Sequence, residues 1–197
     1  MKYPEYFPPI TEVKYYVNYK PRPETKYLVV HCAASQNLPK FDWKTIDQIH
    51  RAQGWLGIGY HFVIRTNGEI QEGRPLDTIG SHVKGHNSDS VGICLIGGVD
   101  SNGRSENNFT DAQMKSLLEL LDALRTYYRD SVEVLGHRDF KGVRKDCPCF
   151  DVKTWYKENS TAKFAVMDDD TETNLSSHDF KMLNGDCIPT GTKVRVR

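Results

Sequence analysis

The chain has 197 residues, 38% hydrophobic and 26% charged, enough for one domain with a real core plus small extensions and too apolar for a disordered chain. Lysine plus arginine equals aspartate plus glutamate at 26 each, so no basic excess argues for nucleic-acid binding, and no apolar run reaches the length of a membrane-spanning helix. The five cysteines (Cys32, Cys94, Cys147, Cys149, Cys187) are odd in number and the first nine residues lack the apolar stretch of a signal peptide, which argues against a disulfide framework and for synthesis in a cytoplasm.

In chain order, residues 1–26 are rich in proline and tyrosine without a clean period and read as an N-terminal arm, with a short strand at Glu12–Tyr16. Tyr27–Ala33, β-branched at Val29 and Val30, reads as a buried strand ending at His31 and Cys32. Asp42 is an N-cap signal, followed by Trp43, Ile46, Ile49 and Ala52 at helical spacing, with Gly54 as the stop. Tyr60–Arg65, the turn Thr66-Asn67-Gly68 and Glu69–Glu72 form a hairpin pattern, and Ser90–Ile96 is another apolar strand, closing on Gly97-Gly98. After a polar loop at Asp100–Asn108, Thr110 and Gln113 form a capping box ahead of the stripe Met114, Leu117, Leu118, Leu121 and Leu124. Val132–Leu135 is a strand that delivers His137, and Asp151–Lys157 a last short helix. This order implies an α/β domain over 27–160, a single central mixed sheet with flanking helices. Residues 161–197 shift to an acidic stretch and then β-like alternation, predicting a docked strand or hairpin, or a small wall-binding appendage.

The chemistry-bearing residues follow strand-like runs. His31 and His137 end two of them, where sites collect in α/β sheets. Cys147 lies beside Pro148 and two residues after Lys145, a polar setting that suits a thiolate. Two histidines and a thiolate make a three-ligand zinc set with a fourth position left for water, as in catalytic sites. Cys149 competes with Cys147; all four together would make a closed structural site, and the tight Cys-Pro-Cys spacing favours Cys149 packed inward. Tyr60 reads from its position alone as a core tyrosine. The loop Gly80–Asn87, with His82 and Asn87, is either a solvated connection or a rim of hydrogen-bond donors around a groove.

The chain resembles the zinc-dependent N-acetylmuramoyl-L-alanine amidases of the bacteriophage lysozyme type, which share a fold with peptidoglycan recognition proteins. The resemblance runs from Tyr27 to Asn159 through Val30-His31-Cys32-Ala33-Ala34-Ser35, Gln53-Gly54-Trp55-Leu56, Gly59-Tyr60-His61-Phe62, Glu72-Gly73-Arg74, Gly80-Ser81-His82, Val91–Gly98, Gly136-His137 and Cys147-Pro148. It implies one zinc ion held by His31, His137 and Cys147, with Tyr60 and Lys145 at the two catalytic side-chain positions. It further implies that His82, Asn87 and Arg74 face the muramyl peptide, Arg74 in a binding or a structural role. The implied reaction cuts the amide between the muramic lactyl group and L-alanine of the stem peptide of bacterial peptidoglycan. A phage endolysin of this kind waits in the host cytoplasm as a monomer and reaches the wall through membrane lesions made by another protein. Two alternatives are a non-catalytic peptidoglycan-binding module, which would lack the ligand cysteine, and a regulator that binds phage RNA polymerase. Two departures stand out: the connection from His137 to Cys147 is lengthened by Phe140-Lys141-Gly142-Val143, and Cys149 replaces a small polar residue.

Overall fold

In the computed structural model, which describes residues 2–14, 17–129 and 131–164, the chain runs β1 (Ile10–Thr11), β2 (Tyr27–Cys32), α1 (Trp43–Ala52), β3 (Phe62–Ile64), β4 (Ile70–Glu72), β5 (Ser90–Leu95), α2 (Asp111–Tyr127), β6 (Glu133–Gly136), a 3-10 turn at His137–Asp139 and α3 (Val152–Phe164). The strands form one six-stranded mixed sheet in the order β1-β4-β3-β5-β2-β6. β3 and β4 are the antiparallel hairpin, and β3, β5, β2 and β6 run parallel. Nearly every residue of β2 and β5 is buried, as expected of parallel strands covered on both faces.

Alternation along the strands sorts the two faces. Leu28, Val30, Phe62, Ile64, Val91, Ile93 and Leu95 join the α2 leucines and Val152 and Tyr156 of α3 in the main core. Val63 and Cys94 face Ile46 of α1, and Val29 joins Val83, Leu135 and Phe140. His31 alternates with Val30, which puts it on the α1 side of the sheet.

The helix ends follow their signals. The Asp42 carboxylate accepts from the Thr45 backbone N–H at 3.0 Å. Thr110 and Gln113 make the reciprocal capping box, and the Gln113 amide also donates to the carbonyls of Ile64 and Ile96, joining the start of α2 to the ends of β3 and β5. Three elements differ from expectation. In α1 the buried pair is Ile46 and His50, while Ile49 is 45% exposed. The reason is that His50 finds a backbone donor inside: its Nδ1 accepts from the Gly59 N–H at 3.0 Å. α3 continues well past Lys157. The arm's strand lies at Ile10–Thr11 instead of Glu12–Tyr16, because Ile10 pairs with Ile70 on the outer edge of the hairpin and packs on the core; Tyr15 and Tyr16 lie outside the described residues.

The arm is built into the domain. Phe7 is buried in the main core and stacks on Tyr3 with ring centroids 5.3 Å apart. The fully buried Glu72 accepts hydrogen bonds from the Tyr3 hydroxyl and the Lys2 ammonium. The strand, hairpin or appendage expected in the tail falls on residues 165–197, outside the described residues. Among the described residues no helix is long and apolar enough to cross a membrane.

Candidate metal centre

Backbone register assembles the centre. β2 and β6 are hydrogen-bonded neighbours with Val30 opposite Gly136, so His31 and His137 leave adjacent parallel strands at the same level. Their ring centroids are 4.6 Å apart. The loop carrying Cys147 is tied to the His137 turn by the Arg138 N–H, which donates to the Cys147 carbonyl at 2.9 Å. The ligand atoms of His31, His137 and Cys147 all lie within 4.8 Å of one another, the one such group of histidine, cysteine or carboxylate donors among the described residues. The Cys32 N–H donates to the Cys147 sulfur at 3.3 Å.

A hydrogen-bond chain behind His31 decides which of its nitrogens is available. Ser90 spends its only proton on the His86 carbonyl. The Ser90 oxygen, 3.4 Å from His82 Nε2, must then accept from it. Burial, reinforced by the charge of His137, pushes the His82 pKa down to about 3, so the ring is neutral and its proton sits on Nε2. His82 Nδ1 is therefore the acceptor for His31 Nε2–H, 3.0 Å away. His31 is itself held neutral, chiefly by burial and then by His82, His137 and Lys145, which leaves a lone pair on Nδ1. That atom is 3.9 Å from the Cys147 sulfur. The donor set of two neutral imidazoles and a thiolate fits zinc.

The loop around His82 is shaped for it. A Cβ on Gly92 of β5 would come within 2.6 Å of the His82 ring, so the ring can approach this strand so closely only because that position is glycine. The Asn87 side-chain oxygen accepts from the backbone N–H groups of both His82 and Val83, at 2.7 and 2.9 Å. Arg74 is buried; its guanidinium donates to the carbonyls of Ile58 and Ile79 at 2.6 and 2.7 Å and lies over the Tyr19 ring. His82, Asn87 and Arg74 are thus each engaged in hydrogen bonds with the segments around the site.

Tyr60 is half-buried, with its ring 5.0 Å from that of His31. Burial, with the Cys94 thiol next in effect, raises its pKa well above the usual value, so the hydroxyl is a neutral donor. Lys145 is exposed, and its charge adds to the burial that lowers the pKa of His137. Cys149 is half-buried and packs away from the three ligand atoms: its thiol donates to the Gly98 carbonyl at 3.2 Å. Burial, more than the neighbouring Cys32, pushes the Cys149 pKa up to about 11.

Sequence reasoning missed His50 and His61. His50 stands between Trp55 and Tyr60, with ring centroids at 4.5 and 5.6 Å. His61 is fully buried; its Nδ1 accepts from the Gly92 N–H at 2.9 Å and its Nε2 bonds the Thr78 carbonyl. Both sit in the segments flanking Tyr60, and their only sequence signal was a histidine inside an apolar pattern.

The sequence profile of the family described as N-acetylmuramoyl-L-alanine amidase matches residues 20–150. The endolysin of Klebsiella phage KP32 is 46% identical over 143 residues, covering 73% of this chain and 93% of that one. The structure of the endolysin amidase LysCS from Clostridium intestinale superposes with a TM-score of 0.66 at 31% identity, over 81% of this chain and 97% of that one. Bumblebee PGRP-SA shares the fold at 22% identity with a TM-score of 0.62, over 76% and 94% of the respective chains.

Proposed function

The chain belongs to the N-acetylmuramoyl-L-alanine amidase family, and from that premise we propose that it is a zinc-dependent peptidoglycan amidase, a phage endolysin that cuts the bond between the lactyl group of N-acetylmuramic acid and L-alanine of the stem peptide. The observation that carries the zinc reading is the convergence of His31, His137 and Cys147 donor atoms at the shared C-terminal edge of two parallel strands.

Zinc in such a set supplies Lewis acidity toward the amide carbonyl and a water whose pKa is brought to about 7. The chain's own residues do the remainder. Attack on an amide builds negative charge on the carbonyl oxygen, and the Lys145 ammonium offsets it. The Tyr60 hydroxyl, neutral because of its burial, orients the nucleophile by hydrogen bonding and hands a proton toward the leaving amine. His82 fixes the His31 tautomer so that Nδ1 keeps the lone pair that would hold the metal, Asn87 holds the backbone of the His82 loop, and Arg74 joins the segments before Tyr60 and His82. The exposed flank with Lys145 receives the muramyl peptide. Such an enzyme reaches its substrate once the host membrane is breached.

The deciding experiment is release of soluble fragments from purified peptidoglycan, before and after chelation and with zinc restored. Free stem peptide with an L-alanine N-terminus, lost on chelation and regained with zinc, is the expected result. Absence of release by a folded, zinc-loaded protein rejects the enzyme reading.

A further inference from the structure

A second pair of thiols lies against the metal centre. The Cys32 and Cys149 sulfurs are 4.0 Å apart. Cys32 is buried at the end of β2 and Cys149 is half-buried. The Gly98 backbone forms the floor under both: a Cβ there would lie 2.7 Å from the Cys32 sulfur and 3.6 Å from that of Cys149, at a φ of 99°. Cys32 directly follows His31, and Cys149 lies two residues beyond Cys147. A bond between them would join the two segments that carry these ligands while using no ligand atom.

We propose that Cys32 and Cys149 are a disulfide-forming pair, a modification site beside the metal centre that staples its two halves together. Closing the contact to a bond of about 2.05 Å takes rotation of the side chains and a small shift of the Cys149 turn. With a small disulfide such as oxidised glutathione as oxidant, the step balances. The more exposed Cys149 attacks one glutathione sulfur as its thiolate and releases one reduced glutathione. Cys32, as thiolate, then attacks the Cys149 sulfur of that mixed disulfide and releases the second. The two cysteine protons end on the two glutathione thiols, and the two electrons lost by the pair reduce the oxidant.

Cys147 is the competitor, since its sulfur also approaches Cys32, 3.3 Å from the Cys32 amide nitrogen. A thiolate committed to a metal is withdrawn from exchange, so the choice of Cys149 over Cys147 rests on the zinc reading above, while the pairing itself rests on the sulfur contact. Full-length protein, zinc-loaded or chelated, is incubated with oxidised glutathione; remaining thiols are alkylated and the peptides mapped by mass. The expected result is a Cys32–Cys149 crosslinked peptide, lighter by two hydrogens than the separate thiols, in the zinc-loaded arm with zinc content unchanged. Cys149→Ser abolishes that crosslink. Recovery of Cys32 and Cys149 as free thiols or glutathione adducts overturns the proposal, as does a crosslink from Cys32 to Cys147 or Cys187 in the zinc-loaded arm. If the protein binds no zinc, the metal reading fails by itself, and the chelated arm still decides the pairing: a Cys32–Cys149 crosslink there supports it and its absence overturns it.

Discussion

His82 shows how a residue's task depends on where its protons can go. From sequence it belongs to a polar loop that could line a groove; in the fold its two ring nitrogens are committed to His31 and Ser90. No spacing rule exposes that, because the Ser90 proton has to be traced first. Replacing His82 with alanine is expected to weaken zinc binding by about 10- to 100-fold, the usual cost of losing a partner behind a metal ligand. Competition with a chromophoric chelator measures it, and an unchanged affinity would remove His82 from that role. Cys147→Ser is expected to lose both zinc and activity, whereas Lys145→Ala should keep one zinc per chain and turn over about 10²- to 10³-fold more slowly. Metal analysis beside turnover separates the two; full activity in Lys145→Ala would end its assignment as oxyanion partner. His31, His137 and Cys147 were legible as candidates because strand ends and a polar cysteine advertise themselves locally. His50 was not, because Ile49 fits the apolar period better and only the Gly59 N–H explains why the histidine is inside.

Among the elements, those with local signals were readable: the Asp42 cap, the Asn-Gly hairpin and the Thr110–Gln113 box depend on residues within a few positions of each other. β1 was displaced from its expected place because two residues carry no period and their pairing with β4 is made 60 residues away in the sequence, as Ile10 opposite Ile70 shows. The arm as a whole reads as a lead-in until Phe7 is found in the main core. Phe7→Ala is therefore expected to destabilise the protein by about 3 to 5 kcal/mol, as for a core aromatic. Urea unfolding tests this; a loss within about 0.5 kcal/mol, the scale of a surface change, would mean that the arm is dispensable to the domain.

For the whole molecule, burying neutral histidines ties stability to pH. His61 has its pKa pressed well below 6.5, first by burial and then by Arg22. In the unfolded chain it binds a proton as pH falls through about 6.5, while in the fold it stays neutral, so its contribution is complete above that pH and is lost as pH drops toward the folded value. The loss is up to about 1.4 kcal/mol per pH unit for each such histidine. The urea midpoint of chelated protein should fall between about pH 7.5 and about pH 5.5; a flat profile would mean that His61 protonates without unfolding. The α/β class was legible from the order of strands and helices, but the strand order was not, since nothing local says that the last strand lies beside β2. That adjacency has a consequence for synthesis. His31 and Cys147 are separated by 116 positions, and β2 gains its β6 neighbour only after the ribosome has passed residue 136. A nascent chain shorter than this holds one histidine on a strand with a bare edge and cannot assemble the centre. A translation product that ends before Cys147 lacks one of the three donor residues, so the metal centre is among the last parts of the domain to become complete.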